Sequence, residues 1–393
     1  MLLCAAWPSL AVEPIKIARD DVALDLSRAV EIHHNQGENF QVSTAPGADG
    51  IVRRIEVEAN DKRSTGDWAV FALANTTDQQ LDRLIVAPHF RMVNSGIFWP
   101  DLGSTRISAI TPSEGFALDR QASPDADVFR VTLNPGTVVT FVAELASPKL
   151  PQVYLWEPDA YKDTINSYTL YRGIVIGIAG LLALFLTILF VVKGTSMFPA
   201  TAALAWAVLA FICVDFGFLT KIIEITPGNE QMWRAASEVA LAATLVVFLF
   251  AYLNLNRWHG HFSYGALAWI LGLVLIAGVA IIDPPVAAGI ARLSFAATAL
   301  AGLCLIVMLS IRGYDRAIML IPSWVMILVW LVGSWMAVTG MLDNDIAQPA
   351  LGGGLILIIL LIGFTVMQHA FAGGALHQGL LSDLERQAAA VGG

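Results

Sequence analysis

The spacing of apolar residues changes partway along the chain. From residue 20 to about 158, hydrophobic and polar positions alternate over short runs. In Val128–Leu133, Phe129, Val131 and Leu133 share one face, and Arg130 and Thr132 share the other. In Thr137–Leu145, Val139, Phe141, Ala143 and Leu145 are expected inward, with Thr140 and Glu144 outward. A period of two marks a half-buried strand. Asn134-Pro135-Gly136 between the two runs predicts a tight turn. Ile51–Glu58, Asp67–Ala74, Asp82–Phe90 and Thr105–Ile110 are further predicted strands. Turn clusters such as Asn75-Thr76-Thr77-Asp78 and Pro112-Ser113-Glu114-Gly115 separate them. Short strands at this spacing, without a long helical pattern, predict an all-β antiparallel sandwich or jelly roll.

From residue 170 the alternation gives way to seven continuous apolar runs, at about 170–192, 198–219, 234–253, 263–282, 286–311, 317–339 and 350–371. Each reaches the roughly 20 helical residues that a hydrocarbon core requires. The predicted architecture is multidomain: an exported β-sandwich over 20–158, then an all-α seven-helix transmembrane bundle over 170–371 with the lipid bilayer as its partner. Residues 1–11 are apolar and end in small side chains, like a signal peptide cut after Ala11. The usual basic start of such a leader is missing.

Charge sharpens this division. Only 14% of the residues are charged, against roughly 25% in soluble domains. Residues 12–169 carry 22 acidic and 14 basic residues, a net charge of −8, whereas residues 170–393 carry 10 acidic and 9 basic. The acidic first part excludes nucleic acid as a partner, which requires a basic face. Its lack of cysteine excludes a disulfide there, since Cys4 falls in the leader and Cys213 and Cys304 in apolar runs. Loop charge predicts the orientation. Alternate connections hold Lys193, Arg257, Arg312 and Arg316, and the others hold Glu224, Glu230, Asp283, Asp343 and Asp345, with Lys221 as the basic exception. Basic loops stay in the cytoplasm. The N-terminal domain is therefore expected outside, in the periplasm, and the C-terminus inside.

Two groups of residues are candidates for function. Phe98, Trp99 and Asp101 lie in a loop bounded by Gly96 and Pro100. Aromatic faces beside a carboxylate suit a sugar or small amphiphile; the same rings could instead plug one end of a sandwich. Arg172, Asp215, Arg234, Glu238 and Arg292 fall at a similar depth in the outer halves of their spans. Ionisable residues inside a membrane are costly, so their placement is informative. They are expected to form a paired network that couples the exported domain to the bundle or lines an outward pocket, with snorkelling to the interface as the alternative. His33-His34 lacks a third ligand in register, so no metal site is expected, and no cofactor. No nucleophile–base arrangement or carboxylate pair is visible, so this chain is not expected to be an enzyme.

After the last run, Leu381, Leu384, Ala388 and Val391 follow 3-4-3 spacing, a short heptad seam in a predicted exit helix over 372–393. Such a helix would pair in a homodimer and lead to a cytoplasmic effector beyond residue 393. The junction Tyr154-Leu155-Trp156-Glu157-Pro158-Asp159-Ala160-Tyr161, running into Tyr168-Thr169-Leu170-Tyr171-Arg172-Gly173, resembles that of the bacterial seven-transmembrane receptors with diverse intracellular signalling modules. The run Trp68–Asn75 with its Thr-rich turn is similar to their exported sandwich. The resemblance implies an inner-membrane sensor that binds a carbohydrate-like ligand or a periplasmic protein. It also implies an effector that is a kinase, a cyclase, or an enzyme of cyclic-di-GMP turnover. The tail from Gln378 to Gln387 looks most like linkers preceding the cyclic-di-GMP class. The rival readings are a membrane scaffold or envelope-assembly protein, and a small-molecule carrier.

Overall fold

A computed structural model describes residues 12–47, 49–60, 66–89, 105–116, 118–123, 126–146, 150, 152–192, 196–223, 229–257, 260–338 and 350–369. Two compact units divide the chain, with Tyr168 closing the first and Thr169 continuing the second. The leader, the Phe98-Trp99-Asp101 loop and the exit helix over 372–393 all lie outside the described residues.

The first unit is strand-rich. One sheet has the order β1 (Pro14–Ile17), β6 (Trp68–Asn75), β11 (Val138–Leu145), β8 (Ile107–Pro112), with β3 (Glu31–His33) also pairing β6. A second sheet runs β2 (Ala23–Asp25), β12 (Tyr154–Trp156), β7 (Leu81–Pro88), β10 (Ala126–Leu133), β9 (Asp119–Gln121). Their inner faces share one core: Phe71, Leu73, Phe141 and Val139 from the first sheet meet Ile85, Phe129, Val131 and Leu155 from the second. Phe71 and Phe141 stack with ring centroids 5.4 Å apart. The expected sandwich is present, with one departure from the antiparallel rule, because β1 pairs β6 in parallel. That short strand shares an edge of β6 with β3, which takes Trp68–Val70 while β1 takes Ala72–Asn75.

Thr140 and Glu144 correct the sequence reading. Both point away from the main core, as alternation requires, yet both are buried. A hairpin of β4 (Asn39–Ser43) and β5 (Arg54–Glu58) belongs to a separate two-stranded sheet. Its Phe40 and Val57 form a second core with Trp68, Val70, Ala72 and Val142. The buried polar groups are satisfied there: Thr140 Oγ1 accepts from Ala45 N at 2.9 Å and Glu144 Oε2 from Asn60 N at 2.9 Å. The strand beginning at Ile51 in the sequence reading starts only at Arg54, and Ile51 and Val52 stay exposed.

The second unit is helical. Among the described residues, seven helices are long and apolar enough to cross a membrane. They are α1 (Pro158–Val192), α2 (Met197–Asp215), α4 (Glu230–Leu253), α5 (Gly260–Ile282), α6 (Pro284–Ile311), α7 (Asp315–Val338) and α8 (Ala350–His369), with a one-turn α3 (Leu219–Ile222) after α2. Helix α1 starts earlier than the apolar run, because Pro158 suits a first helical position and Asp159 suits the positive end of the helix dipole. Asp283 caps α6 by accepting from Val286 N at 3.3 Å. Each helix divides into faces. On α1, Val175, Ala179, Ala183 and Leu186 are buried, while Ile174, Ile178, Leu181 and Ile188 are exposed. In water that second face would be a gross liability; in lipid it is the solvated one. The chain is thus a multi-pass membrane protein built of a β domain and a seven-span helix bundle.

Candidate functional site

The rare charges of the bundle meet. Arg234, in the second turn of α4, places Nη1 2.7 Å from Asp215 Oδ1 at the end of α2. Its Nε lies 3.3 Å from Glu238 Oε1, one turn further along α4. Arg292 of α6 then grips Glu238 with two donors, Nε to Oε2 at 2.8 Å and Nη2 to Oε1 at 2.7 Å. Four of the five residues singled out in the sequence therefore form one chain of ion pairs across α2, α4 and α6. Arg234 and Glu238 are both buried. The fifth, Arg172 of α1, lies over the Phe216 ring at 5.9 Å, just past the end of α2.

Local folding explains the positions. Gly217 takes φ +66°, and its N–H and that of Phe218 return to the carbonyls of Val214 and Cys213. This pair of hydrogen bonds ends α2 on a glycine and fixes Asp215 in its last turn. A carboxylate there opposes the negative end of its helix dipole, and Arg234 near the start of α4 opposes the positive end of its own. Each is stabilised by the other rather than by its helix.

An aromatic layer accompanies the charges. Gly352, Gly353 and Gly354 open α8, and a Cβ on each would approach Phe216 Cζ at 2.9 Å, the Tyr171 hydroxyl at 3.1 Å and Trp330 Cδ1 at 3.0 Å. Trp330 Nε1 also donates to Leu351 O at 2.8 Å. Rings from three sides thus seat against bare α8 backbone. Three glycines opening an apolar span are a signal of close approach that is visible in the sequence.

In the β domain a different charged cluster stands out. Asp127 is 1% exposed. Its Oδ2 accepts from Arg106 N at 2.7 Å and Ile107 N at 3.0 Å. Its Oδ1 accepts from Arg120 Nη2 at 2.7 Å and lies 3.0 Å from His89 Nε2. Burial pushes this carboxyl up, but His89 and the two amides outweigh it and hold it below the usual range. Asp82 is lowered too, by the Thr132 hydroxyl and then Arg130. Nothing in the local sequence flagged Asp127, because its partners arrive through strand pairing: β7 sets Ala87 opposite Asp127, and β9 sets Arg120 opposite Phe129.

These shifts predict acid sensitivity. A carboxyl lowered on folding adds stability above its unfolded pKa of about 3.9 and loses it as pH falls through the folded value. The melting temperature of the β domain should therefore drop from about pH 5 downward. D82N and D127N should start less stable and lose less. A wild-type melting temperature unchanged down to about pH 3 would contradict the assignment.

His33 and His34 diverge, as adjacent residues of a strand end should. His34 Nδ1 is 3.0 Å from Asp67 Oδ1, while His33 packs on Phe40. Among the described residues no group of three His, Cys, Asp or Glu is placed to hold a metal ion.

Comparison with known proteins adds the family. No curated protein matches the sequence. Residues 168–369, more than half of the 393, match the family described as 7TM diverse intracellular signalling. The matched segment holds the whole ion-pair chain and runs from the first third of α1 to the end of α8. With seven membrane-length helices behind a β domain, the chain belongs to this family of seven-transmembrane signalling proteins.

Proposed function

We propose that this protein is a receptor of the bacterial inner membrane whose β domain lies in the periplasm and senses a ligand or a partner protein there. The helix bundle carries the signal to a cytoplasmic effector attached through the segment after α8, over 372–393. Loop charge supports this orientation, since Arg257, Arg312 and Arg316 fall at the opposite end of the bundle from Asp215, Arg234 and Arg292. The heptad after α8 supports pairing of two copies, and the tail supports an effector of cyclic-di-GMP turnover. The chain itself is read as the non-enzymatic input half.

One observation carries this reading: the ion-pair chain Asp215–Arg234–Glu238–Arg292 links three helices within the apolar core they share. Buried ion pairs add little net stability compared with apolar packing, and their best-attested use is to fix one arrangement among several. A bundle that switches between two packings needs such a register. A ligand can bias it only by its different affinity for the two states.

The test is a fusion of residues 1–391 to a reporter effector, expressed in bacteria. D215N should insert normally yet shift basal output by about fivefold or more, the lower range of allosteric coupling. Wild-type output and unchanged stability in both D215N and E238Q would sink the switching role.

A further inference from the structure

The Asp127 cluster forms one wall of a cavity of about 600 Å³ in the β domain, within the range of small-molecule sites. His89, Thr105, Arg120, Gln121, Ser123 and Asp127 supply its polar lining. The described residues that line the cavity all belong to the β domain.

Its chemistry is one-sided. Among the described lining residues Asp127 is the acidic one, and it is already committed: two backbone amides hold Oδ2, and Arg120 and His89 hold Oδ1. It is an orienting group rather than a ligand group. Arg120 is the opposite case. Its Nη2 is pinned on Asp127, its Nη1 reaches Ser108 O at 3.4 Å, and its plane rests 5.5 Å from the Phe129 ring centroid. Its side chain nevertheless remains 46% exposed. A guanidinium carries five N–H donors in a rigid fork, so this one is fixed along one edge and can donate from the rest. The imidazole of His89, held by the same carboxylate, sits beside it. Hydroxyl groups of Thr105 and Ser123 and the Gln121 amide complete a lining rich in donors. Among the described residues that line the cavity, the His89 imidazole is the one ring. A planar or tetrahedral oxyanion is well served, because a pre-oriented arginine binds it with paired hydrogen bonds.

We infer that this cavity binds a small molecule bearing a carboxylate or phosphate, with Arg120 as the recognising group and Asp127 and His89 as its positioning residues. The inference rests on the receptor reading above only for its biological purpose; the site itself is testable without any effector.

The experiment uses the full chain in nanodiscs, titrated calorimetrically with succinate, inorganic phosphate and glucose. At least one anion should bind saturably with a Kd of about 1 mM or tighter, and glucose should not compete. R120Q should weaken that binding about tenfold or more, and R120K by less, since it keeps the charge and loses the fork. R130Q, on an exposed arginine of β10 outside the cavity, should bind like wild type and checks that the domain is intact. Absence of anion binding, equal binding by R120Q, or displacement by glucose would each overturn the assignment. The two readings separate cleanly. Anion binding that needs Arg120 but leaves a reporter fusion silent defeats the receptor and keeps the site. A reporter that responds to an anion equally in R120Q keeps the receptor and defeats the site.

Discussion

Replacing Glu238 with alanine is expected to cost the helix bundle about 3–5 kcal/mol, the usual penalty for removing one partner of a buried ion pair. Glu238 is the hinge of the chain. Its carboxylate receives both donors of Arg292 and one from Arg234, and its side chain is 8% exposed. Without it, Arg292 loses the two bonds that Glu238 accepts, and Arg234 keeps its pair with Asp215. E238A should therefore unfold at a clearly lower temperature in detergent or nanodiscs. E238Q, which keeps the shape and an acceptor, should lose less.

A double variant separates stability from switching. E238L/R292M removes both charges and replaces them with apolar groups of similar length. Buried pairs exchanged in this way often lose no stability, so the double variant should melt near wild type and well above E238A. If the pair acts as a register, reporter output in the double variant should nevertheless be fixed at one level. Restored melting together with restored wild-type output would reduce the ion pairs to packing. Equal melting of E238A and wild type would show that the pair is not closed in the membrane.

The sequence revealed the parts whose physics is local or one-dimensional. Seven runs of apolar residues define seven spans because lipid tolerates little else over that length. The common depth of Asp215, Arg234, Glu238 and Arg292 follows from counting along those spans. Which carboxylate meets which arginine does not follow, since it depends on how α2, α4 and α6 are rotated. In the β domain, the alternation of Phe129, Val131 and Leu133 was legible because strand period is fixed by the backbone. The fate of Glu144 was not. A strand pattern states which side a residue faces, not whether a separate hairpin will cover that side. Asp127 marks the same limit, because its partners come from segments 7 to 38 residues away in sequence and are gathered by strand pairing.

Gly302 carries the second large effect. Helix propensity alone favours alanine over glycine inside a helix by about 0.5–1 kcal/mol, so a neutral site on α6 would gain from the change. The packing predicts the reverse. A Cβ on Gly302 would overlap the Trp324 indole and come within 3.1 Å of Leu249 Cδ2, so α4, α6 and α7 all converge on this one position. Trp324 cannot easily retreat. It is fully buried, and its Nε1 donates to Ala299 O on α6 at 2.8 Å. It also follows Pro322 within α7, where the missing N–H and the ring constrain the backbone. G302A should cost about 1–3 kcal/mol through overpacking, and G302V more. W324A should cost about 3–5 kcal/mol by leaving a cavity. The decisive case is G302A/W324F. Phenylalanine withdraws the second ring from the clash, so the double variant should melt above G302A even though W324F alone melts below wild type. That sign reversal requires direct contact, and additive losses in the double variant would show that glycine is there for another reason.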